Sequence, residues 1–263
     1  MLEIVVGCGL LAAWLIIALS ARWIAPWDPD AIDLIAILQP PNGGHWLGTD
    51  HLGRDVLARI IHGAQVDLAM SVFGVLPAMA IGVAVGLVAG YFGGWIDAIL
   101  MRVVDITVAF PFFVLVIAIV GMLGPGLLNF FLALALVGWV SYARLIRSEV
   151  LVLRDAEFVQ AARGLGYHPL YILIRHVLPN AAAPVAVYAM SDAVMVMLAG
   201  ASLGFIGMGV QPPTAEWGAM IADGQPYIGM AWWICLFPGF AAASLGLGFL
   251  LLSDGLAARW ISK

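Results

Sequence analysis

Six stretches of predominantly apolar residues run along the chain, near 2–25, 66–90, 98–121, 127–146, 181–208 and 233–256. Each is close to the roughly 20 residues that a helix needs to cross a hydrocarbon core. In lipid every backbone N–H and C=O must be satisfied internally, so such stretches predict helices. The first has no basic flank ahead of it and is too long for the apolar region of a signal peptide, so it counts as a span. The pattern predicts an all-α membrane protein, a single domain over residues 1–263 with six transmembrane helices and both termini on one side.

Composition agrees. Hydrophobic residues make up 63%, charged residues only 10%, and mean hydropathy is +1.05, whereas a soluble surface takes roughly 25–35% charged residues. The one lysine, Lys263, lies at the extreme C-terminus, which excludes a P-loop lysine, a Schiff-base lysine and a lysine-rich nucleic-acid patch. The net charge of −5 matters less than its distribution. Arg144, Arg147, Arg154, Arg163 and Arg175 cluster around the 150–180 connection, and Arg259 and Lys263 close the chain. The long 26–65 loop carries Asp28, Asp30, Asp33, Asp50 and Asp55 against Arg54 and Arg59, and the 209–232 loop carries Glu216 and Asp223 with no basic residue. Positive-inside bias therefore places both termini in the cytoplasm.

Gly82, Gly86 and Gly90 form a small-xxx-small ladder that predicts a close helix contact. Pro77, Pro111, Pro184 and Pro238, within or at the ends of spans, predict kinked helices. Cys8 and Cys235 lie in apolar runs and read as buried small hydrophobes, with no disulfide or metal role.

The segment from Asp155 to Pro179 is polar by comparison. Its apolar spacing at Phe158, Ala161, Ala162 and Leu165 predicts a pair of short helices. Ala161, Ala162, Gly164 and Gly166 would let that pair dock closely into a groove on another protein, and a helix lying on lipid headgroups is the competing reading. His45, His51 and His62 match no standard metal-ligand spacing, and Thr49 or Asp50 is expected to cap a helix through Val56–Ile61. Gly200-Ala-Ser-Leu-Gly204 matches the hydrolase pattern G-x-S-x-G, but it lies in a span and the histidines are placed in loops, so a close helix contact is expected instead. Asp192, in the fifth span, is either a residue of a translocation path or a hydrogen-bond partner across helices. Arg102 and Asp105 are expected to pair at i, i+3, with Arg102 reaching to the surface instead as the alternative.

The spacing Gln160-Ala161-Ala162, then Gly166, then His176-Val-Leu178-Pro179 resembles the EAA signature of ABC-importer permeases, with Gln160 in place of glutamate and His176 in place of isoleucine. His45-Trp-Leu-Gly-Thr-Asp-His-Leu-Gly-Arg-Asp-Val-Leu-Ala-Arg59 and Pro213-Thr-Ala-Glu-Trp-Gly-Ala-Met-Ile221 resemble the outer loops of the second permease subunit in dipeptide, oligopeptide and nickel importers. The resemblance implies a type I permease fold and a coupling role for Gln160, Ala161, Ala162, Gly164, Gly166, Leu178 and Pro179 toward a separate ATPase. It implies docking of a solute-binding protein on Asp50, His51, Arg54, Asp55, Glu216 and Trp217, and a homologous permease partner with two ATPases that hold the ATP and magnesium. No cofactor or metal is expected in this chain, and no nucleic-acid partner. The expected location is the cytoplasmic membrane of a bacterium or archaeon. The family usually has a basic segment before the first span, so the sequence is expected to be truncated or to start late. Di- and oligopeptides are the expected substrates, with nickel, another metal chelate, an opine or glutathione as alternatives. A gated channel and an intramembrane hydrolase are the competing classes.

Overall fold

The computed structural model describes residues 1–261, and Lys263 lies outside them. Among the described residues the architecture is helical, with one isolated bridge between Thr49 and Asp55. In chain order the helices are α1 (Leu2–Ile24), α2 (Val56–Phe73), α3 (Val75–Phe92), α4 (Gly94–Val108), α5 (Phe112–Leu123) and α6 (Leu127–Leu153). They continue as α7 (Glu157–Gly164), α8 (Pro169–Ile172), α9 (Leu178–Phe205), α10 (Trp217–Gly224) and α11 (Trp233–Ile261). A π turn over Leu173–Val177 joins α8 to α9, and a 3₁₀ turn over Gln225–Tyr227 follows α10. Five helical stretches are long and apolar enough to cross a membrane, and a bent pair is the sixth candidate.

Two spans differ from the sequence expectation. The expected outer helix at 56–61 and the second span are one unit: α2 and α3 run through Gly74 without leaving helical geometry, 37 residues in all. At 1.5 Å per residue that is about 55 Å, well beyond a ~30 Å core, so part of it stands outside the hydrocarbon. Its cap is Asp55, whose Oδ1 accepts the Ala58 N–H at 2.7 Å, rather than Thr49 or Asp50. The third span is broken. α4 and α5 meet at 84°, with the break at Ala109–Pro111, where proline lacks an N–H and disfavours helical geometry in the residue before it. Pro184 and Pro238 lie inside the long helices α9 and α11, and Pro77 inside α3.

The glycine ladder is the main helix contact. A Cβ on Gly82 would strike the Trp139 carbonyl and Tyr142, one on Gly86 would strike Ile146 and the Ala143 carbonyl, and one on Gly90 would meet Val150 at 2.9 Å. The backbones of α3 and α6 thus approach as closely as only glycine allows. A second seam, between α1 and α11, rests on Gly7, Gly248 and Gly255, with Trp14 Nε1 donating to Ser244 Oγ at 2.9 Å. Cys235 is partly buried, but Cys8 is exposed on α1, contrary to expectation: α1 packs on α11 with one face and turns Cys8 outward.

Candidate functional site

The chain presents three candidate regions, at the basic end, at membrane depth and at the acidic end.

At the basic end, α7 closes on a Schellman turn: the Gly166 N–H bonds the Arg163 carbonyl at 2.9 Å and the Tyr167 N–H bonds the Ala162 carbonyl at 3.2 Å. Gly166 has φ +77°, the left-handed geometry this turn requires. Val159 and Ala162 face inward, followed by Ile172, Leu173 and Val177. The expected short helices are present as α7 and α8, and of the four spaced apolar positions Phe158, Ala161 and Leu165 are exposed while Ala162 is buried. Burial instead follows Val159 and Ala162, three apart. Phe158, Leu165, Tyr167, Leu170, Tyr171 and Ile174 leave an exposed apolar surface on the short-helix pair. Gln160, Ala161, Gly164 and Pro179 are exposed and Leu178 is partly buried; Gly164 and Gly166 have open space where a Cβ would be.

Arginines brace this end of the bundle, and Arg163 fastens α7 to it. Arg163 Nε donates to the Tyr91 hydroxyl at 3.2 Å, and its guanidinium sits 4.6 Å over the Tyr91 ring. Arg154 Nη1 donates to the Gly90 carbonyl at 3.1 Å, and Arg147 makes two 2.6 Å bonds to Asp97. The same end corrects one ion pair. Asp105 accepts from Arg144 Nη2 at 2.9 Å across α4 and α6, and Arg102 is exposed.

At membrane depth, Asp192 Oδ2 accepts the Tyr142 hydroxyl at 2.7 Å, joining α9 to α6. Tyr142 packs edge-on against Tyr188, and Ser191 and Ser253 share a 2.9 Å bond between α9 and α11. An apolar cavity of about 320 Å³ opens between α3, α6 and α9, lined by Met79, Val83, Ile146, Leu178, Ala182 and Val185, and Asp192 does not line it. Ser202 donates to the Leu198 carbonyl at 2.7 Å along α9. A serine bonded back to its own helix has none of the strand and turn geometry of a nucleophile elbow.

At the acidic end, the expected docking residues lie largely below the surface. Asp50, Arg54, Asp55, Glu216 and Trp217 are each at most 5% exposed, and His51 is partly buried. These five therefore build the outer loops rather than face a partner. Asp50 accepts the Leu52 and Arg54 N–H groups and Arg54 Nε, and Asp55 pairs with His45 Nδ1 at 2.9 Å. His51 stacks on Tyr227, and His62 lies within α2, not in a loop, where Nδ1 is 3.0 Å from the Ala58 carbonyl oxygen. His176 also departs from the loop expectation, lying in the π turn.

One acid went unnoticed in the sequence. Asp67, buried on α2, accepts the Trp217 N–H at 3.2 Å, while Glu216 accepts the next two N–H groups, of Gly218 at 2.6 Å and Ala219 at 2.7 Å. Two buried carboxyl groups thus share the N-terminus of α10. Burial pushes the Glu216 carboxyl up from its ordinary range, against the two N–H bonds that lower it. An acid within an apolar run, the signal that singled out Asp192, was equally present at Asp67.

Residues 82–262 match the family described as binding-protein-dependent transport system inner membrane component. The dipeptide transport system permease protein of Alkalihalophilus pseudofirmus is 40% identical over 96% of this chain and 83% of its own length. The probable D,D-dipeptide transport system permease of Escherichia coli is 41% identical over 94% of this chain and 83% of its own. The glutathione transport system permease of Pectobacterium atrosepticum is 39% identical over 97% and 85%. In fold, an inward-facing MetNI methionine ABC transporter chain superposes with a TM-score of 0.64 over 79% of this chain and 98% of that one, at 20% identity.

Proposed function

The chain belongs to the binding-protein-dependent transport system inner membrane components, and we infer that it forms half of the path by which an ATP-driven importer of a bacterial or archaeal cytoplasmic membrane takes in di- and oligopeptides. It is a permease subunit of an ABC importer, not an enzyme. In this reading the other half of the path is a homologous permease, and two ATPase chains supply ATP and magnesium chemistry. A solute-binding protein delivers substrate to the 26–65 and 209–232 loops of this single-domain chain.

One observation carries the reading: the α7–α8 pair between the fourth and fifth spans leaves Phe158, Leu165, Tyr167 and Leu170 exposed beside open space at Gly164 and Gly166. An apolar surface on a short, bundle-anchored helix pair fits a groove on another protein. Gln160, Ala161, Ala162, Gly164, Gly166, Leu178 and Pro179 make up or support this coupling segment. ATP-driven closure of the ATPases displaces α7, the Arg163–Tyr91 contact carries the displacement to α3, and the glycine seam carries it to α6. The path then alternates between outward and inward access. A passive channel requires no such dock.

The substrate reading follows the dipeptide permeases among the relatives; a glutathione permease among them keeps that tripeptide as the second reading. Proteoliposomes containing both permeases and both ATPases, given binding protein and internal ATP, are expected to accumulate labelled dialanine. Flux without ATP would overturn the importer mechanism, and uptake of glutathione in preference to dialanine would select the second reading.

A further inference from the structure

At the acidic end, between the start of α2, the end of α9 and α10, lies a cavity of about 130 Å³ whose lining includes Arg54, Arg59, Gly207, Gln211, Thr214 and Asp223. At ~30 Å³ per water this holds roughly four waters, or one small amino-acid residue.

Two buried guanidiniums and the half-exposed Asp223 carboxyl line it, and burying a cation is costly unless it is fully paired. Arg54 meets that condition, with Nε donating to Asp50 Oδ2 at 2.7 Å. Arg59, 3% exposed, does not. Its Nη1 donates to the carbonyl oxygens of Pro29 at 3.1 Å and Pro213 at 3.3 Å, with Asp30 Oδ1 at 3.5 Å. Its Nε has no hydrogen-bond acceptor among the described residues, and Asp50 Oδ2, already engaged by Arg54, is 3.8 Å away. Asp223 Oδ2 is 3.8 Å from Arg54 Nη2, but the Asp223 side chain is 47% exposed, so water screens its charge. Asp55 is buried nearby, but it is engaged by His45 and the α2 cap. Two buried guanidiniums therefore face the cavity against one buried carboxylate, and one N–H is free to donate.

We propose that this cavity is a carboxylate subsite on the outer face, where Arg54 and Arg59 receive the C-terminal carboxylate of an entering peptide. A carboxylate matches the planar fork of a guanidinium, and the cavity's size admits the terminal residue behind it. The proposal rests on the peptide reading above.

The test uses the assembled permease–ATPase complex in nanodiscs without binding protein, so that the binding protein's selectivity does not enter. Thermal unfolding is followed with dialanine, dialanine amide, sodium acetate and sodium chloride at matched ionic strength. Dialanine and acetate are expected to raise the midpoint and the amide and chloride to leave it unchanged. Arg59→Gln is expected to weaken dialanine binding roughly tenfold or more, the loss expected for a charge-assisted bond. Because Arg59→Gln also removes the bonds to Pro29 and Pro213, Thr214→Glu on the exposed rim is the second variant. It sets a carboxylate beside the intact arginines and is expected to abolish the dialanine response while the protein remains folded. Equal responses to dialanine and its amide overturn the proposal, as does a response to acetate and chloride with none to dialanine. Uptake of dialanine by the full importer is measured in parallel. Uptake without carboxylate selectivity in the unfolding assay refutes the subsite alone, whereas absence of uptake refutes the peptide reading.

Discussion

Asp192 shows what one residue costs at membrane depth. A carboxylate among methionines and valines is tolerated because the Tyr142 hydroxyl donates to it at 2.7 Å. Asparagine can accept the same hydroxyl, so Asp192→Asn is expected to keep the unfolding midpoint near wild type. Tyr142→Phe leaves the acid unpartnered, and a lost buried partner costs about 1–3 kcal/mol. Thermal unfolding in detergent ranks the two variants, and equal losses would mean that the bond contributes nothing. Transport is the second readout: if Asp192→Asn lowers uptake while protein level holds, the carboxylate acts in the path as well as in the fold. Gly166 is a different case. Its φ of +77° puts a side chain under about 1–2 kcal/mol of strain, but the space around it is open, so Gly166→Arg is expected to fold, assemble and fail in coupling. ATP hydrolysis that continues while uptake falls is the expected signature, and unchanged uptake would remove Gly166 from the coupling surface. Asp192 was legible because a charge inside an apolar run has one explanation per position. The outer-loop residues were not, since charge and motif do not say whether a side chain faces solvent or an arginine beneath it.

Glycines dominate at the scale of helices, and their spacing was legible where their effect was steric. Gly82, Gly86 and Gly90 recur every four residues, and the structure sets all three against α6. The seam of Gly7, Gly248 and Gly255 has no such period within one helix, because it is divided between α1 and α11. Gly86→Val is expected to force α3 from α6, since its added carbons meet Ile146 and the Ala143 carbonyl. Overpacking of this kind costs about 1–3 kcal/mol. Gly9→Ala is the control: it lies on α1 with nothing within 4 Å, and alanine in a helix interior gains roughly 0.5–1 kcal/mol over glycine. Opposite shifts of the unfolding midpoint check the pair, and a neutral Gly86→Val would deny the close approach. Pro111 announced a kink in the third span, but not one of 84°. A proline frees the backbone to bend, and the packing of α5 against α6 and of α4 against α3 decides how far.

Over the whole molecule, charge is segregated, as the sequence implied: Arg163 holds α7 to α3 and Arg154 holds the end of α6 to α3 at one end, and carboxylates and two buried arginines organise the other. The acidic end turns on a contact that no local pattern discloses, because Asp67 and Glu216 are 149 positions apart in the chain. Three successive N–H groups at the start of α10 go to these two carboxyls. Since α10 also packs on α9 and α11, the contact ties the second span to the last two. The sign of its pH dependence follows from Glu216. Burial sets its folded value above the ordinary 4.5, so at low pH the folded state binds more protons than the unfolded one. Stability from this group is then fully present below about pH 4.5 and lost as pH rises through the folded value. Ionisation also places a negative charge beside the buried Asp67 carboxyl, in a site too dry to screen it. The outer end should therefore loosen as external pH rises, with amide exchange in 217–224 accelerating while exchange along the α3–α6 seam stays constant. Asp67→Asn keeps an acceptor for the Trp217 N–H and removes the neighbouring titratable carboxyl, so the same exchange experiment is expected to show a flatter pH profile. An unchanged slope in Asp67→Asn would mean that the two carboxyls titrate independently and that the outer latch is not set by their proximity.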